Sequence, residues 1–250
     1  MSHSVTDILK RGHAAMSSGQ PDLAANFYAR ALEAEPSNAE VMDCLADSLL
    51  QIGDVENALP LLQGSIKLAP EGSPYKYLYL GQINSDKDAL VCYEKAISLL
   101  SRDYASVLQD DPMESEDTDN DKQSPSMLKK QLAKAYCSIA DLYLTDLCEE
   151  EGAEGKCEEA LTKASEVDAD NLDVNQTWAS FYLSTHKNQE ACDIMQSVAS
   201  RVTTALQASQ QEAILKQNSH VFDGAKTNAT EEAPEPQFCI STAKLVVECA

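Results

Sequence analysis

Glycine and proline are scarce in this sequence, nine of each in 250 residues, and 43% of the residues are hydrophobic. That excludes a collagen-like or wholly disordered chain. No run approaches the roughly 18 consecutive apolar residues of a membrane span. The opening Met-Ser-His-Ser-Val has no basic region followed by an apolar stretch, so no signal peptide is expected. Basic side chains are also few: 19 Lys and Arg stand against 41 Asp and Glu, for a formal net charge of -22. A nucleic-acid binder neutralises phosphates with cations, so direct nucleic-acid binding is excluded. Docking on an anionic membrane is disfavoured for the same reason. Catalytic signatures are missing: there is no G-x-S-x-G, no Walker-type loop and no H-E-x-x-H, and the four histidines sit in unrelated contexts. The chain is therefore not read as an enzyme. Its eight cysteines are scattered, with no C-x-x-C and no histidine at metal-ligand spacing. They read as reduced, small, apolar packing residues, and no metal or cofactor is expected.

What is present is a repeat. Pro36 and Pro70, Ala24 and Ala58, and Gly19 and Gly53 each stand 34 residues apart. Each lies in the same setting: an apolar helical stretch, a small-residue turn, a second helical stretch, then Pro. This resembles the tetratricopeptide (TPR) repeat. The resemblance implies an all-α, helix-turn-helix solenoid coiled as a right-handed superhelix. The repeat calls for a small residue at position 8, Ala at 20, a large one at 24, a small one at 27 and Pro at 32. From Val5 these are Gly12, Ala24, Tyr28, Ala31 and Pro36; from Ala39 they are Ala46, Ala58, Leu62, Ser65 and Pro70. Small residues at 8 and 20 let the two helices approach, and the residue at 24 fills the space beside them.

The period then loosens. A third repeat uses Gly81, Ala89, Tyr93 and Ala96, with a turn region about one helical turn short. A fourth uses Ala140, Cys157, Leu161 and Ala164, with five residues too many in its turn. A fifth places Ala191 at position 20, and its second helix is expected to run toward Lys216, since Val198, Val202, Ala205 and Ala208 keep a helical spacing. Residues 1–217 are thus expected to form about five helix pairs, interrupted by a disordered acidic insertion at about 109–124. Within it, Asp110 to Asp121 holds seven acidic residues and no basic one. Residues 218–236 read as a loop, and 237–250 as the first helix of a further, incomplete repeat. An unpaired apolar end is unusual in a solenoid, so the chain is read as a fragment or as covered there by something else.

Two stretches are more specific than the generic repeat: Leu78-Tyr-Leu-Gly-Gln-Ile-Asn-Ser-Asp-Lys-Asp-Ala-Leu90, and, after the acidic insertion, Ile139-Ala-Asp-Leu-Tyr-Leu-Thr-Asp-Leu-Cys-Glu150. Together they resemble the family of TPR assembly chaperones of ribosomal protein L-four. The resemblance implies a dedicated chaperone that captures a newly made, basic ribosomal protein for large-subunit assembly and moves with it between cytoplasm and nucleus. A monomer is expected.

In a TPR solenoid, first-helix positions 2, 5, 9, 12 and 13 line the concave face. The register therefore nominates Glu40, Asp43, Asp47 and Leu50 in the second repeat, Asp141 and Leu144 in the fourth, and Asp173 in the fifth as partner-binding residues. Lys134 and Cys137 share that register, and His13 is a candidate in the first repeat. Asp43 and Asp47 are expected to be exposed. Carboxylates beside leucines suit an extended segment carrying Lys or Arg. Alternatives stay open: the acids as plain solvated surface, a generic TPR adaptor, or an acidic chaperone of another basic client such as a histone. The adaptor's clamp for acidic peptides is absent, since its positions hold Leu9, His13, Cys44, Tyr75 and Tyr79. Trp178 is assigned to the core.

Overall fold

Ser, Asn and Asp residues start the helices where the repeat register asks for them. The computed structural model describes residues 4–109 and 124–218. The side chains of Asn38, Asp54, Ser124 and Asn171 each accept a backbone N–H of the following turn, from Val41, Asn57, Met127 and Asp173. Each relieves one of the orphan donors of a helix start. Pro21 and Pro125 sit at the first helical position, where a missing N–H costs nothing.

Among the described residues the chain is helical throughout. It forms two compact units, divided between Lys122 and Gln123. The first holds α1 (Val5–Ser17), α2 (Pro21–Ala34), α3 (Ala39–Gln51), α4 (Val55–Leu68), α5 (Tyr75–Ile83) and α6 (Asp86–Gln109). The second holds α7 (Pro125–Leu144), α8 (Ala153–Val167), α9 (Leu172–Ser184) and α10 (Asn188–Asn218). Successive helices pair as hairpins, α1 with α2, α3 with α4, α5 with α6, α7 with α8 and α9 with α10. Hairpins stack through α2 on α3 and α4 on α5 in the first unit, and through α7 and α8 on α9 in the second. The all-α, repeat-built architecture is the one the spacing predicts, and α10 runs past Lys216 as expected. The acidic insertion, the loop and the terminal helix expected at 237–250 lie outside the described residues.

Inside each hairpin, positions 8 and 24 match in size. A Cβ on Gly12 would lie 2.3 Å from the Tyr28 ring, and one on Gly81 would lie 2.6 Å from the Tyr93 ring. Where position 8 is alanine, the partner is aliphatic: Ala46 with Leu62, Ala140 with Leu161, Ala179 with Met195, all buried. Interiors packed to crystal density leave no slack for a methyl group beside a ring. The first, second and fifth hairpins also share a turn. Gly19 and Gly53 take φ of +67° and +83°, and His186, in the same register, takes +60°. Each turn closes the same way, for example through Gln20 N–H to Ala15 C=O and Lys187 N–H to Tyr182 C=O.

The short third repeat is compensated. α5 has only nine residues and no side-chain cap at Pro74. The preceding loop is bound to it by Lys76 Nζ on Ala69 C=O at 2.6 Å and by the Tyr77 hydroxyl on Pro70 C=O at 2.9 Å. Glu71 of the same loop pairs with Lys95 and Arg102 of α6. The over-long fourth turn is pinned by Leu147, which is buried. Six cysteines lie in the described residues, all free thiols; Cys137 and Cys157 are buried, as packing residues should be, whereas Cys148 is exposed. Trp178 packs against the buried cluster of Ala133, Cys137, Ala164 and Val174, with its indole N–H on Ser165 Oγ at 2.9 Å. No helix among the described residues is long and apolar enough to cross a membrane.

Candidate binding surface

The nominated residues of the first unit share α3. Glu40, in its first turn, is exposed and has no cationic partner among the described residues. Asp43 and Asp47, one helical turn apart, are not the exposed pair expected: both are half-buried and both are engaged from α5. Asp43 Oδ2 lies 3.7 Å from Nζ of Lys76. Burial raises the Asp43 carboxyl above its ordinary value, and Ser65 and Lys76 pull it back down. Asp47 accepts the hydroxyl of Tyr79 and, more loosely, the Gln51 amide at 3.3 Å. Tyr79 is itself pushed up, first by burial and then by the hydrogen bond its O–H donates to Asp47. Reversing these two charges would set cations beside Lys76, so it is not neutral to the fold. Leu50 is half-buried and packs on the cluster of Ala46, Ala58, Leu62 and Leu80.

In the second unit, Asp141 and Leu144 stand on α7, and Asp173 opens α9, which packs on α7. Both carboxylates are exposed, and Leu144 is half-buried. Neither acid has a cation partner among the described residues. They are close enough to repel: desolvation by the surrounding helices, followed by the charge of Asp173, raises Asp141 to about 6. The side chain is open to water, which tempers the effect without changing its sign. Cys137, one turn before Asp141, belongs to the core rather than to the surface. Burial, with the two aspartates nearby, lifts its thiol to about 12, out of reach of nucleophilic chemistry at neutral pH. Lys134 is exposed on the same helix. In the first unit, His13 is exposed, with its Nδ1 3.3 Å from the buried Tyr28 hydroxyl.

The register thus brings Glu40, Asp43, Asp47 and Leu50 onto one helix, and Asp141, Leu144 and Asp173 onto two packed helices. It missed that two of these acids are consumed inside the protein. A signal was present: a lone lysine in the run Tyr-Lys-Tyr-Leu-Tyr-Leu at 75–80, within reach of two like charges spaced i and i+4.

Hairpins with this size matching and this turn define a tetratricopeptide-repeat protein. The Tetratricopeptide repeat family model matches residues 15–80. The chain is a homologue of a Schizosaccharomyces pombe protein described as "Probable assembly chaperone of rpl4", 32% identical over 173 residues, 67% of this chain. It spans about half of that relative's length, 47%. Among solved structures it is similar to "Assembly Chaperone of RpL4 (Acl4) (Residues 1-338)", with a TM-score of 0.73 and 20% identity over 99% of this chain and 85% of that one. MamA from Desulfovibrio magneticus RS-1 is more distant, with a TM-score of 0.53 and 17% identity over 80% of this chain and 96% of that one. The relatives named for rpl4 assembly agree with the resemblance carried by residues 78–90 and 139–150.

Proposed function

We propose that the chain is a binding module that captures a basic ribosomal protein of the L4 type and holds it for large-subunit assembly. The carrying observation is the homology over 173 residues to a protein described as an rpl4 assembly chaperone. The charge of -22 supports it, as do the uncompensated carboxylates of Glu40, Asp141 and Asp173 on first helices. A Lys- or Arg-bearing segment would meet acid and apolar contact on either unit: Glu40 and Leu50 on α3 in the first, Asp141, Asp173 and Leu144 on α7 and α9 in the second. Asp43 and Asp47 add negative potential but are engaged by Lys76 and Tyr79, so the direct contacts are assigned to the other five residues. The protein acts as a monomer, without nucleic acid, and accompanies its client from cytoplasm to nucleus.

The test is binding of purified L4-type ribosomal protein, with core histones as the competing basic client, at two salt concentrations. Selective binding of the ribosomal protein that survives physiological salt is the expected result. Equal binding of both clients would favour a general acidic chaperone, and no binding of either would end the reading.

A further inference from the structure

A fully buried cation is the least expected feature of the first unit. The side chain of Lys76 has no exposure to solvent. An ammonium carries three N–H groups; Lys76 donates to Ser65 Oγ at 3.1 Å and to the Ala69 carbonyl at 2.6 Å, and it forms an ion pair with Asp43 Oδ2 at 3.7 Å. Ala69 caps α4, so the ammonium also faces the negative end of that helix. Room for it is made by Gly72, where a Cβ would lie 3.2 Å from Nζ. One turn further along α5, Tyr79 reaches Asp47, one turn along α3 from Asp43. Two side chains of α5 thus address two of α3 in register. α5 is the shortest of the described helices and lacks a side-chain cap, so these ties replace what its hairpin cannot supply.

We propose that Lys76 is a positioning residue of the binding surface. It is a cation built into the chain that occupies the Asp43 carboxylate. It holds α3, the end of α4 and α5 in one arrangement before any client arrives. A surface formed in advance spares the client the cost of ordering it. The claim about client binding rests on the proposed function; the claim about α5 does not.

The experiment uses the full chain and three variants, Lys76→Met, Asp43→Asn and the two combined. Thermal midpoint, amide exchange along α5 and affinity for purified L4-type ribosomal protein are measured for each. Lys76→Met leaves the half-buried Asp43 carboxylate without its cation and should lower the midpoint by roughly 6–12 °C. The double variant removes that stranded charge and should recover most of the midpoint, which also keeps the test usable if Lys76→Met fails to fold. It does not restore the tie, so α5 should still exchange at least tenfold faster than in the wild type, and client affinity should stay several-fold lower. A double variant with recovered midpoint, wild-type protection of α5 and wild-type affinity overturns the proposal. So does a double variant whose α5 is unprotected while affinity is unchanged, because position would then not matter to binding. If the wild type binds no client, the proposed function fails. In that case α5 exchange in the double variant still decides whether Lys76 holds the helix.

Discussion

Gly12 and Tyr28 show how a single residue choice is enforced. A glycine inside a helix is disfavoured relative to alanine by about 1 kcal/mol, and here it persists because the Tyr28 ring occupies the space of its Cβ. Gly12→Ala should therefore destabilise by about 1–3 kcal/mol despite its better helix propensity. In the background of Tyr28→Leu, which copies the Ala46–Leu62 pairing of the second repeat, the same substitution should become neutral or favourable. Urea unfolding of the four variants in a double-mutant cycle measures that coupling. Asp141 makes a second residue-scale case. Its carboxyl is raised in the folded protein to about 6, against about 3.9 unfolded. Its favourable contribution is therefore complete below the unfolded value and is lost as pH rises through about 6. Above that pH the native state carries a repelled charge. Asp141→Asn should raise the midpoint of unfolding at pH 7.5 and have little effect at pH 4. A shift of that size would be worth about 3 kcal/mol for a fully buried group; the exposure of Asp141 reduces the expected gain to about 1 kcal/mol or less. A pH-independent effect would contradict the raised carboxyl that desolvation and then Asp173 produce.

At the scale of elements, the first, second and fifth hairpins are closed by one kind of turn. The same register position is Gly19, Gly53 and His186, all with positive φ. For a residue with a Cβ that conformation costs roughly 1–2 kcal/mol. His186→Gly should then stabilise the α9–α10 hairpin by about 1 kcal/mol, less the entropy a glycine restores to the unfolded chain. Thermal unfolding of the variant checks it; a lower midpoint would mean that the His186 side chain makes a compensating contact. The contrast between α5 and α6, nine residues against 24, points to the same division of labour. Where a helix is too short to be held by its own hairpin, loop and side-chain bonds from Ala69, Pro70 and Glu71 take over.

For the molecule as a whole, charge is the dominant property. Screening acts over about 8 Å at physiological ionic strength, so attraction between this surface and a basic client should weaken as salt rises. Charge reversal of Glu40, Asp141 and Asp173 to Lys targets the acids that have no internal cation. The triple variant should stay helical and slow client association by roughly tenfold at low salt, with a smaller change in dissociation. Stopped-flow kinetics at two ionic strengths reads both. Equal association rates for variant and wild type would move the electrostatic contact away from these first helices.

The hairpins were legible in the sequence because their determinants are local. Positions 8, 20, 24 and 27 meet within one repeat, and the periodicity of Ala24, Tyr28 and Ala31, or of Cys157, Leu161 and Ala164, shows directly which face is buried. The likeness to L4 chaperones was legible too, since it rests on contiguous residues. Contacts between first helices of successive repeats were not. Asp43 and Lys76, or Asp47 and Tyr79, stand more than thirty residues apart, and no period states which side chains can reach each other there. Register alone placed Asp43, Asp47 and Cys137 beside Asp141 on one surface. Tertiary packing sorted them. Cys137 went to the core because α7, α8 and α9 close around it. Asp43 and Asp47 went to α5 because a buried ammonium and a phenol lie within reach. Asp141 and Asp173 kept their charges unpaired because no described cation comes near enough to neutralise them.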